Sequence, residues 1–302
     1  MLGVGAIRKR ERIEEYQKKA RHFAHIGDVK SGLEVWREAR KEFPNDWDVL
    51  CGLMYALSAL DPKDKKENPD EIIEIGEKIL AQCTDNQKRY SAMQVLCHLY
   101  NTLGNIEKAK EYANMAPNYY ITNMILLSNI LTGDELIEHC QLNIQVLTEL
   151  LTQGICRCVD WGNITGDEKK RTYQMILKVF EVIYEDGDFG FYTSHIWMYY
   201  SELAHLSIEQ QDKEITLDYL ANAVKYAIIY DTQEDFRHTS LLVNRMWHKR
   251  EYSSKSWLSN DSYRMLQNME SKCFYFCRDD ERFIKLTEDL KTVAVSGLEK
   301  EE

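Results

Sequence analysis

Residues 13 to 46 read IEEYQKKARHFAHIGDVKSGLEVWREARKEFPND, and this stretch decides the fold. Tyr16, Ala20 and Phe23 recur at helical spacing, which predicts one amphipathic helix. Gly27-Asp28 breaks it. Gly32, Trp36 and Ala39 repeat the pattern on a second helix, and Pro44 stops that one. Two antiparallel helices approach closely only where side chains are small. Ala20 and Gly32 supply that approach, and Tyr16, Phe23 and Trp36 fill the space beside it.

The pattern then repeats. Moving about 34 residues along carries Tyr16, Ala20 and Phe23 onto Leu50, Met54 and Leu57, again a helical stripe. The unit and its period resemble a tetratricopeptide (TPR) repeat. A second unit runs from Trp47 to about Asn86, its helices split by a polar loop over 61–69, its second helix carrying Ile72, Ile75, Ile79 and Leu80. In a third unit Met93, Cys97 and Tyr100 line one helix, Gly104-Asn105 turns, and Ala109, Tyr112, Ala113 and Ala116 line the next. After Pro117 the repeat decays. Leu136, Cys140, Ile144, Leu147 and Leu151 predict a long amphipathic helix, and Tyr173, Ile176, Leu177, Phe180 and Ile183 another. A further unit returns around Tyr200, Leu203 and Ala204. Helices are expected near 240–248, 262–277 and 280–290. The expected architecture is all-α: a TPR-like α-solenoid of antiparallel helix pairs, with degenerate units after about residue 117 and a helical C-terminal cap. Its divisions are a basic connector over 1–12, three units over 13–117, and degenerate units with the cap over 118–302, in one continuous solenoid.

Composition agrees with such a chain. Of 302 residues 44% are hydrophobic and 29% charged, and only four are proline. Proline breaks helix interiors, so this scarcity suits an all-helical protein. A net charge of −11 argues against the chain lying broadly on nucleic acid, whose phosphates demand a basic surface. Arg8, Lys9, Arg10 and Arg12 form one local basic cluster. No apolar run reaches the roughly 18 residues that span a bilayer. The eight cysteines form no regular framework, so reduced thiols and a cytoplasmic location are expected, without membrane association. Cys51, Cys83 and Cys97 read as small core residues.

Catalytic motifs lack their partners. Asp188-Phe189-Gly190 matches the metal-binding triplet of protein kinases, but no Gly-rich phosphate loop precedes it. Cys156 and Cys158, and Cys273 and Cys277, are the only close cysteine pairs, and zinc needs four ligands. Cys273 and Cys277 sit among aromatic residues and read as packing. His139-Cys140 points its two side chains apart. No enzyme activity, cofactor or metal site is expected.

A helix-pair solenoid binds ligands along the concave face lined by the first helix of each unit. The outward residues there are Gln17, Arg21, Tyr55, Gln94, His98, Asn101, Ser201 and His205. This polar row with one aromatic suits an extended peptide, whose backbone needs amide partners.

Five blocks narrow the resemblance: GDVKSGLEVWREARKEFPNDW at 27–47, RYSAMQVLCHLYNTLGNIEKAKEYANMAP at 89–117, YEDGDFGFY at 184–192, HTSLLVNRM at 238–246 and DDERF at 279–283. With them the chain resembles the C-terminal TPR region of Gram-positive bacterial transcriptional regulators of the XRE family. That resemblance implies a regulatory module that senses a peptide or small effector, binds a protein in its groove, or pairs as a homodimer. In such regulators a helix-turn-helix domain precedes the TPR region. Here Leu2-Gly3 resembles the end of that domain, and Arg8, Lys9, Arg10 and Arg12 would form the connector. DNA contact is then expected only through a domain that this sequence lacks. The alternative is a stand-alone TPR adaptor for other proteins.

Overall fold

Short polar side chains start the helices of this protein. In the computed structural model, Asp28, Asp46, Asp85, Asn105, Asp212, Asn260 and Asp280 each accept a hydrogen bond from a backbone N–H of the first turn that follows. Those first N–H groups have no partner inside the helix, so each cap stabilises its helix by about 1 kcal/mol. Thr165 and Glu168 form a reciprocal capping box. The structure describes residues 4–67, 69–208, 212–252 and 259–296.

The protein is all-helical apart from one two-stranded ribbon among the described residues. It divides into two compact units, Met1–Thr122 and Asn123–Glu302. The first unit comprises α1 (Val4–His25), α2 (Val29–Glu42), α3 (Trp47–Ser58), α4 (Pro62–Glu67), α5 (Asp70–Gln82), α6 (Asn86–Thr102) and α7 (Ile106–Met115). Gly27 and Gly104 close the α1–α2 and α6–α7 turns with φ of 79° and 78°, a conformation that disfavours residues bearing a Cβ. Helices α1, α3 and α6 lie side by side. α2 packs on α3, and α5 on both α3 and α6. Arg40 of α2 bonds Glu71 of α5 at 2.9 Å, and Tyr112 of α7 donates to Glu77 of α5.

The core holds Leu50, Leu53, Met54 and Leu57 of α3, Ile72, Ile75 and Ile79 of α5, and Leu96 and Leu99 of α6. The stripe found one period after Tyr16, Ala20 and Phe23 is thus wholly buried. Tyr16 and Ala20 are buried too, while Phe23 is half-buried. At Gly32 an added Cβ would meet Phe23 at 3.6 Å and the Ala20 carbonyl oxygen of α1 at 3.7 Å, both ordinary contacts. At Gly52 that atom would lie 2.3 Å from the Trp36 ring.

Three expectations for this unit change. The polar loop over 61–69 contains the short helix α4: Pro62 stands at its first position, where a missing N–H costs nothing. Lys65 Nζ ties α4 to the Ser58 carbonyl at 2.9 Å. The basic stretch 8–12, expected as a connector set apart from the first unit, is helical and runs on within α1. Within the unit Lys9 pairs with Asp46 at 2.7 Å, and Arg12 pairs with Glu15 at 2.7 Å and Glu42 at 3.3 Å. Ala113 and Ala116 are exposed rather than lining the helix pair.

The second unit comprises α8 (Asn123–Ser128), α9 (Gly133–Trp161), α10 (Gly166–Ile183), α11 (Thr193–Ile208), α12 (Lys213–Thr232), strands β1 (Phe236–Arg237) and β2 (Trp247–His248), α13 (Asp261–Met269) and α14 (Glu281–Lys291). Phe180 anchors an aromatic core with Tyr184, Phe189, Tyr192 and Tyr199. A second core joins α11 and α12 to α13 and α14 through Trp197, Leu217, Leu220, Met265, Phe283 and Leu290.

Three expectations fail here. The stretch 240–248 is not a helix. It is a turn-rich loop framed by β1 and β2, which pair antiparallel as Phe236 with His248 and Arg237 with Trp247. And α9 does not bury its leucine stripe. Leu147 and Leu151 are 39% and 53% exposed, whereas Gln141, Thr148 and Thr152 are buried. The loop accounts for Gln141: it donates to the Leu241 carbonyl and Asn244, and accepts from the Arg245 N–H at 2.7 Å, and burying loop backbone demands such partners. Thr148 and Thr152 donate instead to carbonyls of their own helix. The predicted helix over 262–277 also splits: α13 ends at Met269 and a 3₁₀ segment follows over Lys272–Cys277. Among the described residues no helix is long and apolar enough to cross a membrane.

Candidate functional site

Six of the eight expected groove residues stand on the α1–α3–α6 layer of the first unit. Gln17 and Arg21 lie one turn apart on α1, half-buried and exposed respectively. Tyr55 of α3 donates from its hydroxyl to Gln94 Oε1 of α6 at 3.4 Å. His98 and Asn101 follow Gln94 along one face of α6, both exposed. The layer therefore brings Tyr55 and Gln94 together and leaves His98 and Asn101 beside them. Gln17 and Arg21 make no hydrogen bond to the other four. A depression of about 540 Å³, which sequence reading missed, lies between Phe23 of α1, Leu33 and Val35 of α2, and Leu60 after α3.

Ser201 and His205 belong to α11 of the second unit, and their outward placement is corrected. Ser201 is 3% exposed and accepts a hydrogen bond from the Asn268 amide. His205 is half-buried, with Nε2 2.8 Å from Asn268 Oδ1. Both turn toward α13 because their face of α11 closes the second core of this unit. Cys273, expected only to pack, sits with its sulfur 3.6 Å from His205 Nδ1.

The triplet Asp188-Phe189-Gly190 has a structural role. One Asp188 carboxylate oxygen accepts from the Thr239 N–H at 2.7 Å and the other from the Ser240 hydroxyl at 3.2 Å. Asp186 accepts from the Thr239 hydroxyl at 2.6 Å. The two aspartates thereby hold the loop that follows β1. Phe189 enters the aromatic core. Gly190, at φ 54°, leaves the room that His238 and His248 occupy, since an added Cβ would lie 3.0 Å from the His238 ring.

This clasp frames a cavity of about 230 Å³, walled by Phe189, Phe191, Tyr192 and Trp247, with Gln145 and Lys249 also lining it. Its two histidines, His238 and His248, are each 4% exposed. His248 Nε2 is buried without a hydrogen-bond partner. His238 Nδ1 lies 3.6 Å from Asp188, too far for a hydrogen bond between nitrogen and oxygen. Burial pushes both imidazoles below their ordinary pKa, and Asp188 partly opposes this at His238. Neutral imidazoles facing aromatic walls can hydrogen-bond a small polar molecule and cover its apolar part. No local motif announces this site, because its residues lie on three separate segments. The only signal in the sequence was the density of aromatic and histidine residues near 184–192 and 236–248.

Among the described residues no group of three or more His, Cys, Asp or Glu is placed to hold a metal ion. No family model, curated protein or solved structure matches this chain.

Proposed function

We propose that the chain is a regulatory, ligand-binding TPR-like module of the kind found in XRE-family transcriptional regulators, sensing a peptide along the α1–α3–α6 layer. The observation that carries this reading is that layer itself. Three successive helix pairs present their first helices side by side, and Tyr55, Gln94, His98 and Asn101 form a continuous polar surface across two of them. Amide and hydroxyl groups there can pair with the backbone of an extended chain. The resemblance at 238–246 and 279–283 supports the regulatory assignment.

The test is fluorescence anisotropy against pooled labelled peptides. Tyr55→Ala and Asn101→Ala should each weaken a bound peptide roughly fivefold, the scale of one net hydrogen bond, with the melting temperature unchanged. A peptide whose affinity neither variant alters would remove the layer from the account.

The second unit favours a small effector as a second reading, because His248 Nε2 faces a cavity with no partner of its own. Thermal-shift screening with small organic acids and amides separates the two. A shift that disappears in His248→Leu and survives in Asn101→Ala points to the cavity, and the reverse points to the layer.

A further inference from the structure

Four side chains from three segments form a relay beside the second core. Ser201 and His205 stand one turn apart on α11, Asn268 near the end of α13, and Cys273 in the 3₁₀ segment that follows. The Asn268 Nδ2 group donates to the Ser201 hydroxyl oxygen, which is buried. That bond turns Asn268 Oδ1 toward His205 Nε2, at 2.8 Å. An amide oxygen only accepts, so Nε2 carries the proton, and Nδ1 is left with its lone pair. Nδ1 lies 3.6 Å from Cys273 Sγ, an ordinary separation for a hydrogen bond to sulfur. The Phe274 ring, 4.8 Å from the imidazole centroid, holds its plane. The Ser271 hydroxyl lies 3.2 Å from the same sulfur.

Nucleophile, base and orienting group thus stand in the order that activates a thiol. When the Cys273 proton passes to His205 Nδ1, both imidazolium N–H groups have acceptors: the thiolate and Asn268 Oδ1. Ser271 can donate a second hydrogen bond to the thiolate. Cys273 is half-buried, while its neighbour Cys277 is fully buried. The sulfur is therefore open to a small electrophile from solvent.

We propose that Cys273 is a nucleophilic thiol, activated by His205 as base and by Asn268 as positioning residue, that reacts with hydroperoxides. The thiolate attacks the terminal peroxide oxygen, so that an S–O bond forms and the O–O bond breaks. Sulfur gives up two electrons and the peroxide takes them. The departing hydroxide, or alkoxide from an organic hydroperoxide, takes the proton from the His205 imidazolium and leaves as water or an alcohol. The product is Cys273 sulfenic acid, which a thiol can reduce.

Cys158 provides the internal comparison. It is exposed on α9, and no histidine stands beside it among the described residues. Native protein is treated with hydrogen peroxide below stoichiometry, sulfenic acid is trapped with dimedone, and peptides are mapped by mass. Cys273 should be labelled at least about tenfold faster than Cys158, because a base within hydrogen-bond reach of the sulfur outweighs exposure. His205→Gln and Asn268→Ala should bring Cys273 down to the Cys158 rate. Asn268→Asp, which still accepts from Nε2–H, should restore it. Equal or faster labelling of Cys158 in the unaltered protein overturns the proposal, whatever the variants do. So does unchanged Cys273 labelling in His205→Gln.

Discussion

Gly52 shows how a single hydrogen atom sets a helix spacing. The Trp36 ring occupies the place of its missing Cβ, so the indole of α2 lies directly on the backbone of α3. Gly52→Ala forces that ring or a whole helix to shift, and overpacking of this kind costs about 1–3 kcal/mol. Gly32→Ala meets only ordinary contacts and removes a flexible residue from a helix, so it should leave stability unchanged or raise it by up to about 1 kcal/mol. Urea unfolding of the two variants checks the contrast, and equal midpoints would refute the packing described. The sequence revealed that small residues mattered in the first unit, because Ala20 and Gly32 fall at helical spacing. Which glycine carried the closest contact was hidden, since that depends on where the Trp36 rotamer points.

At the scale of elements, helix periodicity was legible wherever a core faced a helix. Leu50, Met54, Leu57, Ile72, Ile75 and Ile79 are all buried, as their spacing required. It misled on α9, whose buried positions are largely polar. On α9 the inward face carries Gln141, Thr148 and Thr152, and a leucine pattern cannot disclose a loop a hundred residues away that needs an amide. The candidate groove residues of the first unit were legible as the outward face of first helices. The histidine cavity was not, because Asp188 and His238 become neighbours only through the folded loop. Those buried histidines make the second unit sensitive to acid. Their folded pKa lies below the unfolded value near 6.5, so the unfolded chain binds more protons between the two values. Stability from this source is complete above about pH 6.5 and declines as pH falls further. Among the described residues the first unit buries no histidine. Proteolysis mapped between pH 7 and 5 should show the second unit losing protection on acidification and the first holding it. An equal loss in both would contradict the assignment of His238 and His248 as buried neutral groups.

Across the whole molecule, each unit has hydrophobic cores of its own. Leu53 is buried in the first and Phe180 in the second. Leu53→Ala should cost about 2–5 kcal/mol and Phe180→Ala about 3–5 kcal/mol. Amide exchange should place each loss within its own unit. A Leu53→Ala protein whose second unit loses protection equally would show a single cooperative block instead. The all-α class was legible because proline scarcity and 3.6-residue periodicity act along the whole chain. The division after Thr122 lies close to the decay of the repeat after Pro117, but the sequence read there as one continuous solenoid because no flexible linker marks it.

The amide of Gln141 also sets an order of events during synthesis. Side-chain hydrogen bonds between elements of the first unit join residues no more than about forty positions apart, such as Tyr55 and Gln94. Their loops close cheaply, and such local contacts form fast. Gln141 instead waits for Leu241 and Arg245, a hundred positions or more downstream. While the ribosome adds those residues, α9 has no loop to hold, and its glutamine is paired with water. The first unit is therefore built from contacts of short sequence separation, whereas the second gains its Gln141 contacts only from residues a hundred positions downstream.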